Sequence, residues 1–286
     1  MAPTEYHKKI VDYYEATENA YKDSWDMDNS LSIHYGYWDK KVKTFSESLL
    51  RMNEVMAGAA GITANDHVLD AGCGVGGGSI YLAEHTGCRV MGISISERQV
   101  KQARENAQKR NVGDRVRFEV MDYSATSFPD NSFDVIWGCE SICYAADKQQ
   151  FLHEAHRLLK TGGRIVIADG FVNQFTNNND STIRKWLDGW QVNYLESPHR
   201  FQNLLELEGF ESVEYKNITK YVMHSSRRLL KYYFLATMYL LGKTLTFSNH
   251  STKMQRMNIK ACWHQYWGLK LARWQYYLFT ATRGKH

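Results

Sequence analysis

Val68-Leu69-Asp70-Ala71-Gly72-Cys73-Gly74-Val75-Gly76-Gly77-Gly78 places five glycines within seven residues, directly after an apolar run. Glycine lets the backbone turn sharply and approach a ligand closely, because no Cβ intervenes. A helix that starts there points its unpaired N–H groups at whatever the bend holds. The segment predicts a buried strand, a tight turn and a helix over Ser79–Glu84, the opening unit of an α/β sheet whose ligand sits at the carboxyl ends of its strands. Gly72, Gly74 and Gly77 satisfy G-x-G-x-x-G, so a dinucleotide site is one candidate. Such a site carries an acid after the next strand, to hold a ribose. That strand, Cys88–Ile93, runs instead into Ser94-Ile95-Ser96, and the first acid is Glu97, already in the next helix.

Asp70 shifts the balance. With it, V-L-D-A-G-C-G-x-G-G-G resembles the first motif of the class I S-adenosylmethionine (SAM) methyltransferases. The resemblance extends to Val120-Met121-Asp122 after a third strand and to Phe133-Asp134-Val135-Ile136-Trp137 as a fourth. It continues through Leu158–Ile167, the turn and strand that follow. The implied fold is α/β: a Rossmann-like sheet of seven strands, the last antiparallel, with an N-terminal helical lid and a C-terminal helical cap. Residues 1–60 are expected as the lid, 61–172 as the SAM-binding core, and 173–286 as the rest of the sheet with a cap over the acceptor.

The chain itself supplies the lid and cap patterns. Apolar residues recur at helical spacing around Ile10–Tyr21 and Leu49–Met56, separated by the aromatic loop Ser32–Asp39. Glu97–Arg110 and Lys148–Leu159 read as the helices between strands, and Ser181–Tyr194 and His199–Gly209 as helices beyond them. Glu211–Thr219 reads as a strand, Ser226–Lys243 and Lys253–Arg273 as long aromatic helices, and Trp274–Thr282 as the closing strand.

Hydrophobic and charged contents of 43% and 23% suit a soluble globular protein. The five cysteines lack zinc spacing, since Cys139-x-x-x-Cys143 has no second pair, and no metal ligands are expected among the site residues. Met1–Asp12 has no signal-like apolar core, and no run approaches the roughly 18 apolar residues of a membrane span, so a cytoplasmic location is expected. Charge is distributed unevenly. No Asp or Glu follows Glu214, whereas thirteen Lys and Arg do. Such a field gathers phosphates or an anionic membrane surface, or it offsets an acidic surface across a homo-oligomer contact. Nucleic acid is not expected, for want of a binding motif or a dense basic run.

For the methyl donor, the resemblance implies Gly72 and Gly74 against its amino-acid end and Asp70 on its ammonium. Ser94 and Gln99 are implied on the ribose, Asp122 on the adenine amino group, Tyr123 or Met121 on the ring, and Trp137 and Gly138 beside the sulfonium. Tyr35, in the aromatic loop, is implied to cover the donor. On the acceptor side, Glu140-Ser141-x-x-Tyr144 looks more like geranyl diphosphate C-methyltransferases than like sterol and tocopherol methyltransferases, which place histidine where Tyr144 stands. The expected reaction is C-methylation of an isoprenoid, prenyl diphosphate-like acceptor, an apolar small molecule with an anionic group. Glu140 serves as base or cation stabiliser and Tyr144 orients it. Tyr37, Trp38, Trp186, Trp263 and Trp267 supply π-faces for the cation. Arg227 or Arg228 holds the diphosphate, with Mg²⁺ as a further candidate that no aspartate-rich motif supports. One alternative is N- or O-methylation of a natural product or quinone-like phenol, where Glu140 or His34 takes a proton. Another is a non-enzymatic SAM-binding or membrane-docking module.

Overall fold

The computed structural model describes residues 4–25, 27–245 and 251–285. Its helices are α1 (Glu5–Trp25), α2 (Met27–Ser30), α3 (Phe45–Ala59), α4 (Gly77–Thr86), α5 (Glu97–Lys109), α6 (Lys148–Leu158), α7 (Ser181–Gly189), α8 (Pro198–Leu207), α9 (Thr219–Leu245) and α10 (Lys253–Lys270). The strands are β1 (His67–Ala71), β2 (Arg89–Ser94), β3 (Val116–Val120), β4 (Phe133–Cys139), β5 (Leu159–Val172), β6 (Phe210–Asn217) and β7 (Trp274–Arg283). They form one sheet in the order β3-β2-β1-β4-β5-β7-β6. The β1–β2, β2–β3, β1–β4 and β4–β5 pairs are parallel, whereas β7 runs antiparallel to both β5 and β6. This is the class I methyltransferase topology that the motifs imply.

Successive residues of the central strands serve opposite layers, as the period of two requires. Val68, Val135, Val166 and Ala168 pack with Leu49 and Met52 of α3 and with Ile80 and Leu82 of α4. Leu69, Ile136, Ile165 and Ile167 pack with Phe151 and Leu152 of α6 and with Phe201 and Leu205 of α8. Buried on both faces, these strands read as continuous apolar runs. Strand order reverses between β1 and β4, which opens a crevice at their carboxyl ends.

One expected helix is shorter than its pattern. Ser181–Tyr194 stops at Gly189, and Gln191 takes a left-handed φ of 58°. Asn178 then holds the extended continuation from both sides, its Nδ2 donating to Leu195 O at 2.8 Å and its Oδ1 accepting from Leu195 N–H at 2.9 Å. Val192 and Leu195 are thereby turned toward the crevice.

Candidate active site

The crevice is a cavity of about 300 Å³ that the glycine turn, the ends of β4 and β5, the loop before α3, α1 and α7 enclose together. Its first half is built from backbone. Gly72, Gly74 and Gly76 take φ of 99°, 53° and 93°. A Cβ on Gly72 would lie 2.4 Å from Ser141 Cβ, whereas one on Gly74 would meet nothing within 4 Å. The first glycine is needed for packing and the second keeps space open. Asp70 at the end of β1 is buried and accepts from Ser79 Oγ–H at 2.6 Å. Burial pushes its carboxyl up to about 6, opposed by the bonds from Ser79, and no cation among the described residues pairs with it.

Ser96 caps α5 by accepting from Gln99 N–H, which brings the Gln99 side chain back over β2. Ser94 Oγ–H donates to Gln99 Oε1 at 2.9 Å, leaving that amide's NH₂ as a donor in a cavity both residues line. Asp122 accepts from Ser124 N–H at 2.8 Å, and His7 of α1 stands 3.6 Å from its other oxygen. Tyr123 O–H donates to Ser141 O, and Trp137 lines the floor. Gly138 does not line the cavity: its missing Cβ leaves room for Ile142, whose Cγ1 would lie 2.7 Å away.

The second half is built from side chains. Glu140, just past β4, sits in the left-handed region at φ 49° and turns its carboxylate inward. Oε1 accepts from Tyr35 N–H at 2.6 Å and from Tyr276 O–H at 2.7 Å. Burial pushes its carboxyl up to about 8, against the pull of those two bonds. Asp169 lies nearby at the end of β5, accepting from Cys143 and Gly170 N–H, and is raised by burial to about 6. Around them stand Tyr35, Trp186, Trp190, Trp274 and Tyr276, with Trp186 4.3 Å from Trp274 and 5.5 Å from Trp190 between ring centroids. Lys148 underpins this wall, its ammonium donating to the carbonyls of Cys143, Ala145 and Tyr194. His34 also lines the cavity, where burial lowers its ring to about 4 and keeps it neutral.

Several expected acceptor residues lie elsewhere, for physical reasons. Tyr144 lines the cavity but packs beside the Tyr14 ring, 5.8 Å away, and Tyr276 takes the place beside Glu140 expected for it. Tyr37 stacks on Tyr221 and Trp38 on His224, fastening the loop to α9 instead of facing inward. Trp263 packs between Tyr233 of α9 and Trp267, whose ring is at the surface. Arg227 and Arg228 are exposed, and Arg228 covers Phe45 at 4.4 Å. Among the described residues no Lys or Arg lines the cavity, those after Glu214 included. Among the described residues no group of three or more His, Cys, Asp or Glu could hold a metal, and no helix is long and apolar enough to cross a membrane. Tyr276, Trp274, Asp169 and His7 escape the sequence motifs. The only available signal for Tyr276 and Trp274 was their shared face on the closing strand.

Residues 69–167 match the family model described as "Methyltransferase domain". The chain is 39% identical over 151 residues to 27-O-demethylrifamycin SV methyltransferase of Amycolatopsis mediterranei, covering 53% of this chain and 56% of that protein. It is 35% identical over 213 residues to 2-methyl-6-phytyl-1,4-hydroquinone methyltransferase of Synechocystis, covering 68% and 65%. It therefore spans less than two thirds of either relative. Among solved structures, the [4+2]-cyclase SpnF aligns with a TM-score of 0.79 at 18% identity over 99% of this chain and 98% of that one. Geranyl diphosphate methyltransferase, solved with GPP and sinefungin, aligns at 0.78 and 19% over 98% and 100%. At such identities these two likenesses establish the fold alone. Matching motifs, sheet order and relatives agree: residues 69–167 carry the match to the methyltransferase-domain family, and the chain has the class I SAM-dependent methyltransferase fold.

Proposed function

We propose that the protein is a SAM-dependent methyltransferase that methylates a carbon of an apolar, isoprenoid-like small molecule lacking phosphate. The first half of the cavity suits the donor. Asp70 is a buried carboxylate with no cation paired to it among the described residues, which an ammonium would complete. Gly74 leaves space where any side chain would intrude, and Ser94 and Gln99 offer a hydroxyl and an amide for the ribose. Asp122 and Tyr123 stand where the ring would lie. When bound, the donor supplies an electrophilic methyl group on a sulfonium. The helices of residues 1–60 act as the lid: His7, Ile10 and Tyr14 close one side of the same cavity.

The observation that carries the reading is Glu140, buried between Tyr35 N–H and Tyr276 O–H in a wall of aromatic rings. An alkene that takes up a methyl group spends its π pair on the new C–C bond and is left a carbocation. Rings of Trp186, Trp190 and Trp274 stabilise such a cation by about 0.5–2 kcal/mol per good contact. Glu140 then accepts the proton from the neighbouring carbon, whose C–H pair restores a double bond. A cation beside Glu140 favours its ionised form, which offsets the burial that raises its pKa. The lack of Lys and Arg among the described lining residues favours an uncharged acceptor over a diphosphate. O-methylation of a phenol is the second reading, favoured by the same carboxylate with a pKa of about 8, matched to deprotonating a hydroxyl.

Labelled SAM with a panel of prenyl alcohols, sterols, prenylated quinols, prenyl diphosphates and amines tests this. Label is expected on carbon of an uncharged acceptor. Label found only on oxygen or nitrogen would remove C-methylation, and efficient turnover of a diphosphate would remove the uncharged acceptor.

A further inference from the structure

The two halves of α9 have different surroundings. Near its start, Tyr221 stacks on Tyr37 at 4.2 Å, His224 stacks on Trp38 at 3.9 Å, and Ser225 Oγ accepts from Gly36 N–H at 2.9 Å. Leu229 reaches the cavity itself. Beyond it Leu235, Met238 and Leu241 are 68%, 70% and 61% exposed, with Phe234 and Tyr239 exposed beside them. At about 100° per residue these five positions fall on one face, and the exposed Arg227 and Lys231 continue the same stripe toward the start of the helix. A scattered exposed leucine needs no account, but a contiguous apolar face does.

We infer that this face of α9 docks on an anionic lipid bilayer. Its apolar side chains enter the boundary between headgroups and acyl chains, and Arg227 and Lys231 meet the lipid charge. Charge selects this occupant over a second copy of the chain. After Glu214 there are thirteen Lys and Arg and no acid, so a symmetric contact through this face would oppose two cationic segments. An anionic surface turns that repulsion into attraction. The helix is braced from behind, with Tyr233 5.4 Å from Trp263 of α10 between ring centroids. Leu235 lies six residues beyond Leu229, about 9 Å along the axis and about 120° around it.

Co-sedimentation of the full chain tests this, using vesicles of phosphatidylcholine and of an equimolar mixture with phosphatidylglycerol. Binding to the mixed vesicles is expected to exceed binding to neutral ones by about thirtyfold, since each of the two basic residues near the surface contributes on the order of 1 kcal/mol. Leu235→Ser with Met238→Ser should weaken mixed-vesicle binding by about tenfold. Lys231→Gln should weaken it by roughly fivefold. Calorimetric SAM binding and thermal unfolding by the variants should match the parent chain, which separates lost docking from lost fold. No binding to mixed vesicles overturns the inference, as does equal binding by the double serine variant. A parent chain that light scattering shows to be dimeric while the double variant is monomeric assigns the face to a second copy, and overturns it too.

Discussion

The two halves of the cavity are made in different ways. The half proposed for the donor rests mainly on residues 70–99, with Asp122, Tyr123 and Trp137 added, and backbone conformation does most of the shaping: three left-handed glycines, an N-terminal helix turn and a capped α5. The acceptor half gathers Tyr35, Glu140, Asp169, Trp186 and Tyr276 from five separated segments, and side chains do the shaping. A backbone-built site accommodates one ligand and tolerates little change. A side-chain-built site can be refitted to another acceptor without disturbing the sheet.

Glu140→Gln should separate the halves most sharply. Turnover on an alkene acceptor should fall by about 10²–10⁴-fold, the usual range for a lost general base, while calorimetric SAM affinity changes little. In the parent chain, kcat/KM should climb with pH through a midpoint near 8 as the raised Glu140 carboxyl ionises, and the variant should lack that limb. Stability moves the other way. The folded chain keeps the Glu140 proton above the ordinary carboxyl value of 4.5, so this group's contribution to stability declines as pH rises from there toward 8. Urea unfolding of parent and variant across that window measures the difference.

Gly72→Ala strikes the backbone-built half. Its Cβ would meet Ser141 Cβ at 2.4 Å from a left-handed backbone, a cost of roughly 2–5 kcal/mol in unfolding measurements. Gly74→Ala meets no protein atom, so it should cost only about 1–2 kcal/mol of stability yet obstruct SAM binding. Equal stability losses at the two positions would show that the turn is not divided between packing and ligand space. Tyr276→Phe removes one bond to the Glu140 carboxylate and should raise the pKa in the kcat/KM profile by about one unit, with SAM affinity unchanged. Arg228→Gln, outside the cavity, should alter kcat/KM by less than about twofold. A larger effect would extend the acceptor half to α9 and revive an anionic acceptor.

Legibility follows the same division. The turn at Gly72–Gly78, Asp70, the Ser94–Gln99 pair and the strand preceding Glu140 all depend on residues near each other in the chain. Short motifs therefore carried the resemblance that implies them. Glu140 and Tyr276 stand 136 residues apart and meet only because Gly170 of β5 pairs with Tyr276 of β7. Alternation along β7 groups Trp274, Tyr276 and Leu278 on one face without saying which side of the sheet that face meets. Arg227 and Arg228 misled for a related reason: charge bias marks an exposed helix face as readily as a phosphate site. Tyr37 and Trp38 adjoin Tyr35 in the loop, yet only the packing of α9 decides that they point away.

Sequence alone determined that this chain bends around a ligand after β1 and repeats strand and helix behind that bend, since glycine freedom, capping and apolar period act over a few residues. Tertiary structure alone decided what faces the bend. The register of β5 against β7, the early end of α7 and the position of α9 bring distant aromatic and acidic side chains into one enclosed space. Those contacts arise from burial summed over the whole sheet, and no local pattern records them.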